Sequence, residues 1–255
     1  MAISTNSIIH YTNNLDNLLQ ILKNGFSLKY CKEDFFWKEK RLKYAYPMIC
    51  FCDIPLSEVK KHLDAYGHYG IGLKKDWAVK KGLNPVLYLE KQSSLSETLM
   101  QQIMRLHEDK KKSLKNPDAT RIDEVWRQEL ITLCSYVKNY DGDLIIDGVE
   151  KNDYRFYDER EWRYVPTTEE LKGNQRAILQ DKYVIDKEKF NTEVGKIKLE
   201  FNIAEDISYI IVREDNDIHK ALDFITHNFK KTLFASDIEI LMTKIISTNQ
   251  IINDF

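Results

Sequence analysis

Between residues 156 and 166 the chain reads FYDEREWRYVP, and its acids and arginines are residue types that can do chemistry. Read as a strand, this stretch places Glu159, Glu161 and Arg163 on one face and Arg160, Trp162 and Tyr164 on the other. The rings of Trp162 and Tyr164 and the β-branch of Val165 favour a strand, and Pro166 ends it. A carboxylate held in a cleft stabilises a developing cation, while a guanidinium beside it grips phosphate through paired hydrogen bonds. The same pattern also suits a strand edge kept soluble by charge. Arg163 could equally pair with Glu161 and leave no free carboxylate.

Other elements must bring partners to this stretch. Residues 7–11, SIIHY, read as a first strand ending at His10, with Thr12 or Asn13 capping the helix that follows. Leu15, Leu18, Leu19 and Leu22 recur at helical spacing, and Gly25 sits where a helix end needs a left-handed residue, so residues 15–24 form a helix. His10 then lies beside a helix N-terminus, a place that favours phosphate, or is satisfied by nearby backbone. Residues 29–46 mix lysine, glutamate and rings and read as a long loop, with Phe35, Phe36 and Trp37 closing over a ligand or forming a satellite cluster. A buried strand follows at 48–53, a helix at 57–66, a strand at 69–73, a helical turn at 77–81 and a strand at 85–90.

Gly67, Gly70 and Gly72 do not make a dinucleotide fingerprint, and no P-loop lysine follows. Cys50 and Cys52 precede His62 and His68 at a spacing that matches no zinc pattern, so no metal is expected. At about residues 93–138 the character changes to a two-helix insert. Ser94 and Glu97 cap its first helix, the run Lys110, Lys111, Lys112 with Lys115, Asn116, Pro117 and Asp118 breaks it, and Asp118 or Thr120 starts the second. Strands at 196–201 and 208–213 and an amphipathic helix through Ile218, Leu222, Ile225 and Phe229 follow, and the last segment, 237–255, is ambiguous.

These elements make a single α+β domain over residues 1–255, including the insert. A composition that is 43% hydrophobic and 31% charged supplies a real core. The net charge of −2 points to neither nucleic acid nor membrane. No stretch is apolar for 18 residues, and the N-terminus lacks the pattern of a secretion signal, so a cytoplasmic protein is expected. The four cysteines are too few for a disulfide framework.

The run His10-Tyr11-Thr12 followed by NLDNLLQILKNGFSLKY resembles the opening of several ADP-ribosyltransferase-like families, including DarT-like toxins and RNA 2′-phosphotransferases. Together with CFCDIPLSEVKKHLDAYGHYGIGLKKDW and FYDEREWRYVP it resembles the AbiGi family of abortive-infection proteins over most of the chain. This resemblance implies an ADP-ribosyltransferase-like split mixed sheet flanked by helices, enclosing a cleft for NAD as substrate. It implies that His10, with Tyr11 and Thr12, meets an NAD ribose and that an aromatic residue stacks on nicotinamide, Tyr69 by preference with Tyr66 the alternative. Glu161 would engage the reacting ribose, with Glu159 as rival, and Arg160 and Arg163 would contact phosphate. Cleaving the nicotinamide bond develops an oxocarbenium-like ribose that such a carboxylate stabilises. Two roles follow in phage defence. One is transfer of ADP-ribose to a macromolecule, protein or nucleic acid. The other is a catalytically silent antitoxin or regulator that binds a partner toxin.

Overall fold

β-Branched and ring residues buried on both faces make Ser7–Thr12 the first strand, β1, of the computed structural model, which describes residues 5–113, 120–146 and 149–254. Helix α1 (Leu15–Asn24) follows, capped by Asn14 rather than Thr12 or Asn13: the Asn14 carboxamide oxygen accepts from the Asn17 N–H at 2.8 Å. Gly25 ends it at φ 72°, where a side chain would stand 2.8 Å from the Leu199 carbonyl oxygen. After β2 (Phe26–Ser27), the expected loop at 29–46 is instead a hairpin of β3 (Lys29–Trp37) and β4 (Lys40–Cys52), in register from Lys29↔Met48 to Trp37↔Lys40. No period is visible there because both faces bury rings. Tyr30 packs on Tyr183 and Phe190, whereas Phe35 packs into the helical insert.

A 3-10 turn (Leu56–Glu58), α2 (Lys60–Tyr66), β5 (Tyr69–Lys74), α3 (Lys75–Lys80), β6 (Asn84–Pro85) and β7 (Leu87–Leu89) lead to the insert. Its first helix, α4 (Ser94–Ser113), is capped one residue earlier than expected, by the Ser93 hydroxyl accepting from the Ser96 N–H at 3.1 Å. The lysines at 110–112 lie in the last turn of α4, which ends at Ser113, and the rest of the expected break, residues 115–118, lies outside the described residues. The expected start at Asp118 lies outside the described residues, and α5 spans Thr120–Ser135. Strands β8 (Val137–Asn139), β9 (Gly142–Ile146) and β10 (Val149–Tyr154) bring the chain to FYDEREWRYVP. Only part of that stretch is a strand. Phe156–Glu159 is a 3-10 turn, Arg160 takes the left-handed φ of 44°, and β11 covers Glu161–Tyr164. The remaining elements are β12 (Ile178–Leu179), α6 (Gln180–Ile185), α7 (Lys187–Val194), β13 (Lys198–Leu199), β14 (Ile207–Val212), α8 (Asp215–Phe229), α9 (Ala235–Met242), β15 (Ile245–Ser247) and α10 (Thr248–Asp254).

The fold is mixed α+β. Its main sheet has nine strands among the described residues, in the order β15-β14-β5-β1-β4-β11-β6, with β3 and β12 also paired to β4. The β14–β15 pair is parallel and the other pairs in that sheet are antiparallel. Three apolar clusters anchor it. Ile8, Phe51, Ile71 and Leu73 pack with Trp77 and with Leu18, Leu22 and Ile225 of α1 and α8. Ile9, Tyr11 and Cys52 point the other way, onto Val59, Leu63 and Ile251. The insert has its own cluster, Leu99, Ile103, Leu130 and Val137, joined to the hairpin by Phe35 and Leu42. One irregularity matters for the site. Strand β1 pairs with β5 from Ser7↔Lys74 to Thr12↔Tyr69, yet its register with β4 is Ile9↔Cys52 alone. Beyond that pair the two strands part and a cleft opens.

Candidate functional site

The cleft is built on β11 and its neighbours. Registers Glu161↔Cys52 and Arg163↔Cys50 put these four side chains on one face, as period two requires. There Arg163, 0% exposed, spans Glu161: its Nε donates to Oε1 at 2.6 Å and its Nη2 to Oε2 at 3.1 Å. The same guanidinium meets Glu33 of β3 at 2.9 Å and donates from Nη1 to the Ser135 carbonyl oxygen at 2.7 Å. Lys138 of β8 closes the network, with Nζ 3.1 Å from Glu161 Oε2 and 2.9 Å from Glu159 Oε2. Three carboxyls, the buried Glu159 and Glu161 and the half-buried Glu33, therefore share two cations.

Burial alone would raise the Glu161 pKa, but Arg163 and Lys138 outweigh it and hold the carboxyl well below the usual carboxylate range. Glu33 goes the other way, because burial outweighs Arg163 and Lys138 there and pushes its pKa up. For Lys138 burial opposes the charge, yet Glu161, Glu159 and Glu33 carry its pKa well above the ordinary value. The Cys50 thiol is pushed up by its hydrogen bond with Cys31 and by burial, so it is not poised as a nucleophile.

Above this network lies a cleft of about 550 Å³, lined on one side by Glu159, Glu161 and Lys138 and on the other by Tyr11, His62 and Tyr66. The Tyr66 hydroxyl donates to Glu159, and the His62 ring stacks on Tyr66 at 4.4 Å. Burial, aided by Lys138, lowers the His62 pKa to about 4, so this imidazole is neutral at physiological pH. The Tyr11 ring stands 5.3 Å from His62, and its buried hydroxyl has no hydrogen-bond partner among the described residues. In β5, which neighbours β1, Gly70 lies under Tyr11: a Cβ there would be 3.1 Å from that ring.

The sequence-derived candidates divide. Glu161, Glu159 and Arg163 converge, although Glu159 arrives from the 3-10 turn and not from the strand. His10 also lines the cleft, but it lies within β1 and not at its end. Its ring sits between Phe26 and Phe51, at 5.2 and 5.7 Å, and its Nδ1 donates to the Cys50 carbonyl oxygen at 2.8 Å. The ring thus fills the parting between β1 and β4. Thr12 accepts from the Asn17 carboxamide at 3.2 Å and lines a neighbouring cavity. Tyr69 turns away, its hydroxyl donating to Asp217 of α8 at 2.9 Å, whereas the Tyr66 hydroxyl donates to Glu159 in the cleft. Arg160 caps the turn, its carbonyl accepting from the Asp53 N–H at 3.1 Å. Among the described residues no group of three or more His, Cys, Asp and Glu is arranged to hold a metal ion.

Sequence reasoning missed Lys138 and Glu33 and considered His62 only as a metal ligand. Lys138 carries no local signal, since its partners lie 21 and 23 residues away. Glu33 was hidden by reading its strand as loop. His62 had one usable cue: it sits four residues before Tyr66, so the two rings share a helix face.

No helix among the described residues is long and apolar enough to cross a membrane. No solved structure matches the chain. The abortive phage resistance protein AbiGi of Lactococcus lactis subsp. cremoris is 29% identical over 244 residues, covering 89% of this chain and 94% of that protein. The family model described as abortive phage resistance protein AbiGi, antitoxin, matches residues 24–213. That span holds the hairpin, the insert and the whole Glu161 network, and the chain belongs to the AbiGi family of abortive phage resistance proteins.

Proposed function

We propose that this chain is the antitoxin of a two-gene abortive-infection pair, acting in the cytoplasm by binding its toxin and not by transferring ADP-ribose. The observation that carries this reading is the state of Glu161. Both of its oxygens are taken by cations, Oε1 by Arg163 and Oε2 by Arg163 and Lys138. A transferase needs that charge facing the reacting ribose, where it can stabilise the oxocarbenium-like transition state. Here it is spent inside the fold. The antitoxin description of the family agrees with this reading. Growth after induction provides the test. The chain alone leaves cells growing, and it protects them from the toxin encoded beside it, with Glu161→Gln protecting equally at equal folded protein. Growth arrest by this chain alone overturns the proposal.

A second reading rests on the parting of β1 from β4, which opens a cleft lined by His10, Glu159 and Glu161. It is an ADP-ribosyltransferase-like fold with NAD as substrate and a macromolecular acceptor. Labelled NAD incubated with the protein and cell extract tests it. Transfer lost in Glu161→Gln supports this reading, and no transfer by wild type refutes it.

A further inference from the structure

A second cavity, of about 350 Å³, opens on the other side of His10 and has a different chemical character. One wall is a face of α1, where Asn17, Gln20 and Asn24 recur at i, i+3 and i+7 and present three carboxamides. The rest of the lining comes from β1, β2, β3, β4 and β13. Lys198 stands opposite Ser27 in the β2–β13 pair and donates to its hydroxyl, and Lys29 begins the next strand. Thr12 and His10 lie at the back. Among the described residues that line this cavity there is no aspartate or glutamate. Lysines 29 and 198 are both exposed, so neither charge is spent in the interior.

Two ammonium groups without a carboxylate between them favour an anion, and their compact charge suits phosphate. Carboxamides and hydroxyls suit the other half of a ligand, one rich in hydroxyl groups. The bonds within the wall, Asn24 to Gln20 at 2.8 Å and Asn17 to Thr12 at 3.2 Å, use the Gln20 carboxamide oxygen and the Asn17 and Asn24 amides. The Gln20 amide and the Asn17 and Asn24 oxygens remain as donors and acceptors for such groups. The volume is at the low end for ligand sites, enough for a sugar phosphate. We propose that this cavity binds a phosphorylated sugar, free or as the sugar-phosphate end of a nucleotide, with Lys29 and Lys198 on the phosphate and Asn17, Gln20 and Asn24 on the sugar.

The proposal is independent of the antitoxin reading, and binding to the full chain tests it directly. Ribose 5-phosphate is titrated into the protein and followed by calorimetry and by NMR of the side-chain amides and imidazoles. The expected result is saturable binding that shifts the Asn17, Gln20 and Asn24 amides and the His10 ring and weakens as salt is added. A Lys29→Gln, Lys198→Gln variant, both positions being exposed, keeps its circular dichroism and binds about tenfold or more weakly, the scale of 1.4 kcal/mol. Inorganic phosphate binds more weakly than the sugar phosphate. Comparison with a nucleoside 5′-monophosphate separates the two sources: tighter binding assigns a nucleotide, equal or weaker binding a free sugar phosphate, and either supports the site. Absence of these shifts, equal binding by the double variant, or inorganic phosphate binding as tightly as ribose 5-phosphate overturns it.

Discussion

Replacing Arg163 by methionine keeps most of its volume and removes the guanidinium that neutralises the buried Glu161 and the half-buried Glu33. In wild type that group makes two bonds to Glu161, one contact with Glu33 and one bond to the Ser135 carbonyl oxygen. Removing one partner of a buried ion pair costs about 3–5 kcal/mol, because the carboxylates left behind keep their desolvation penalty. Lys138 still reaches Glu161 at 3.1 Å, which moves the expectation for R163M toward the lower end of that range. At roughly 2–4 °C per kcal/mol for a chain of this size, a loss of about 3 kcal/mol lowers Tm by about 6–12 °C. Urea unfolding followed by circular dichroism should show a lower midpoint with the same slope.

The pH dependence makes the assignment specific. The Glu161 pKa is depressed in the fold, so its stabilisation is fully present above the unfolded value of about 4.3 and is lost as pH falls from there toward the folded value. Without Arg163 the same carboxyl keeps its burial with only Lys138 as a cationic partner, so its pKa rises relative to wild type and protonation relieves the variant earlier as pH falls. The gap between wild type and R163M therefore narrows as pH falls into the acid range, and adding Glu161→Gln to R163M restores part of the loss at pH 7. A variant within about 1 kcal/mol of wild type at pH 7, or a gap that widens in acid, would refute a buried, charged Glu161.

Other expectations follow from the same geometry. Tyr66→Phe removes a donor to the buried Glu159 carboxylate and should cost about 1.5–3 kcal/mol in urea unfolding, so a neutral substitution would deny that bond. The His62 ring, with a pKa of about 4, should not titrate between pH 5 and 8 in NMR spectra; its depressed value also means that its contribution to stability declines as pH falls from about 6.5 toward 4. Gly67→Ala forces a side chain into φ 107° with its Cβ 2.3 Å from the Thr12 carbonyl oxygen. It should destabilise by more than about 2 kcal/mol, well beyond Gly82→Ala, where φ is 74° but nothing lies within 4 Å, and equal losses at the two sites would contradict the close approach.

What could be read from sequence had a clean period or a clear punctuation mark. Helix α1 with Gly25 behind it, α8, and the apolar β14 were legible because each buries one stripe or both faces. The β3–β4 hairpin was not. Tyr30 and Phe35 point to opposite faces and both find apolar partners, so the alternation that marks a half-exposed strand never forms. The pairing of Glu161 with Arg163 on one face follows from period two alone. The contribution of Glu159 did not follow that way: its residue lies in the 3-10 turn, and it joins Glu161 through Lys138.

That dependence on Lys138 gives the helical insert a definite part in the site. An acid and an arginine two residues apart on a strand stand about 7 Å apart along the backbone, within reach of a guanidinium. Whether they must pair depends on depth, since an exposed pair gains little whereas a buried carboxylate without a partner is costly. The chain leaving the insert decides that depth. Ser135, the last residue of α5, supplies the carbonyl that fixes Arg163, and Lys138, three residues on, takes the second oxygen of Glu161 together with Glu159. Both contacts come from one short stretch, and β8 is held in turn by its parallel pairing with β7, from Leu87↔Val137 to Leu89↔Asn139. Both contacts therefore depend on this exit strand staying in place, while the two bonds from Arg163 hold Glu161 from its own strand.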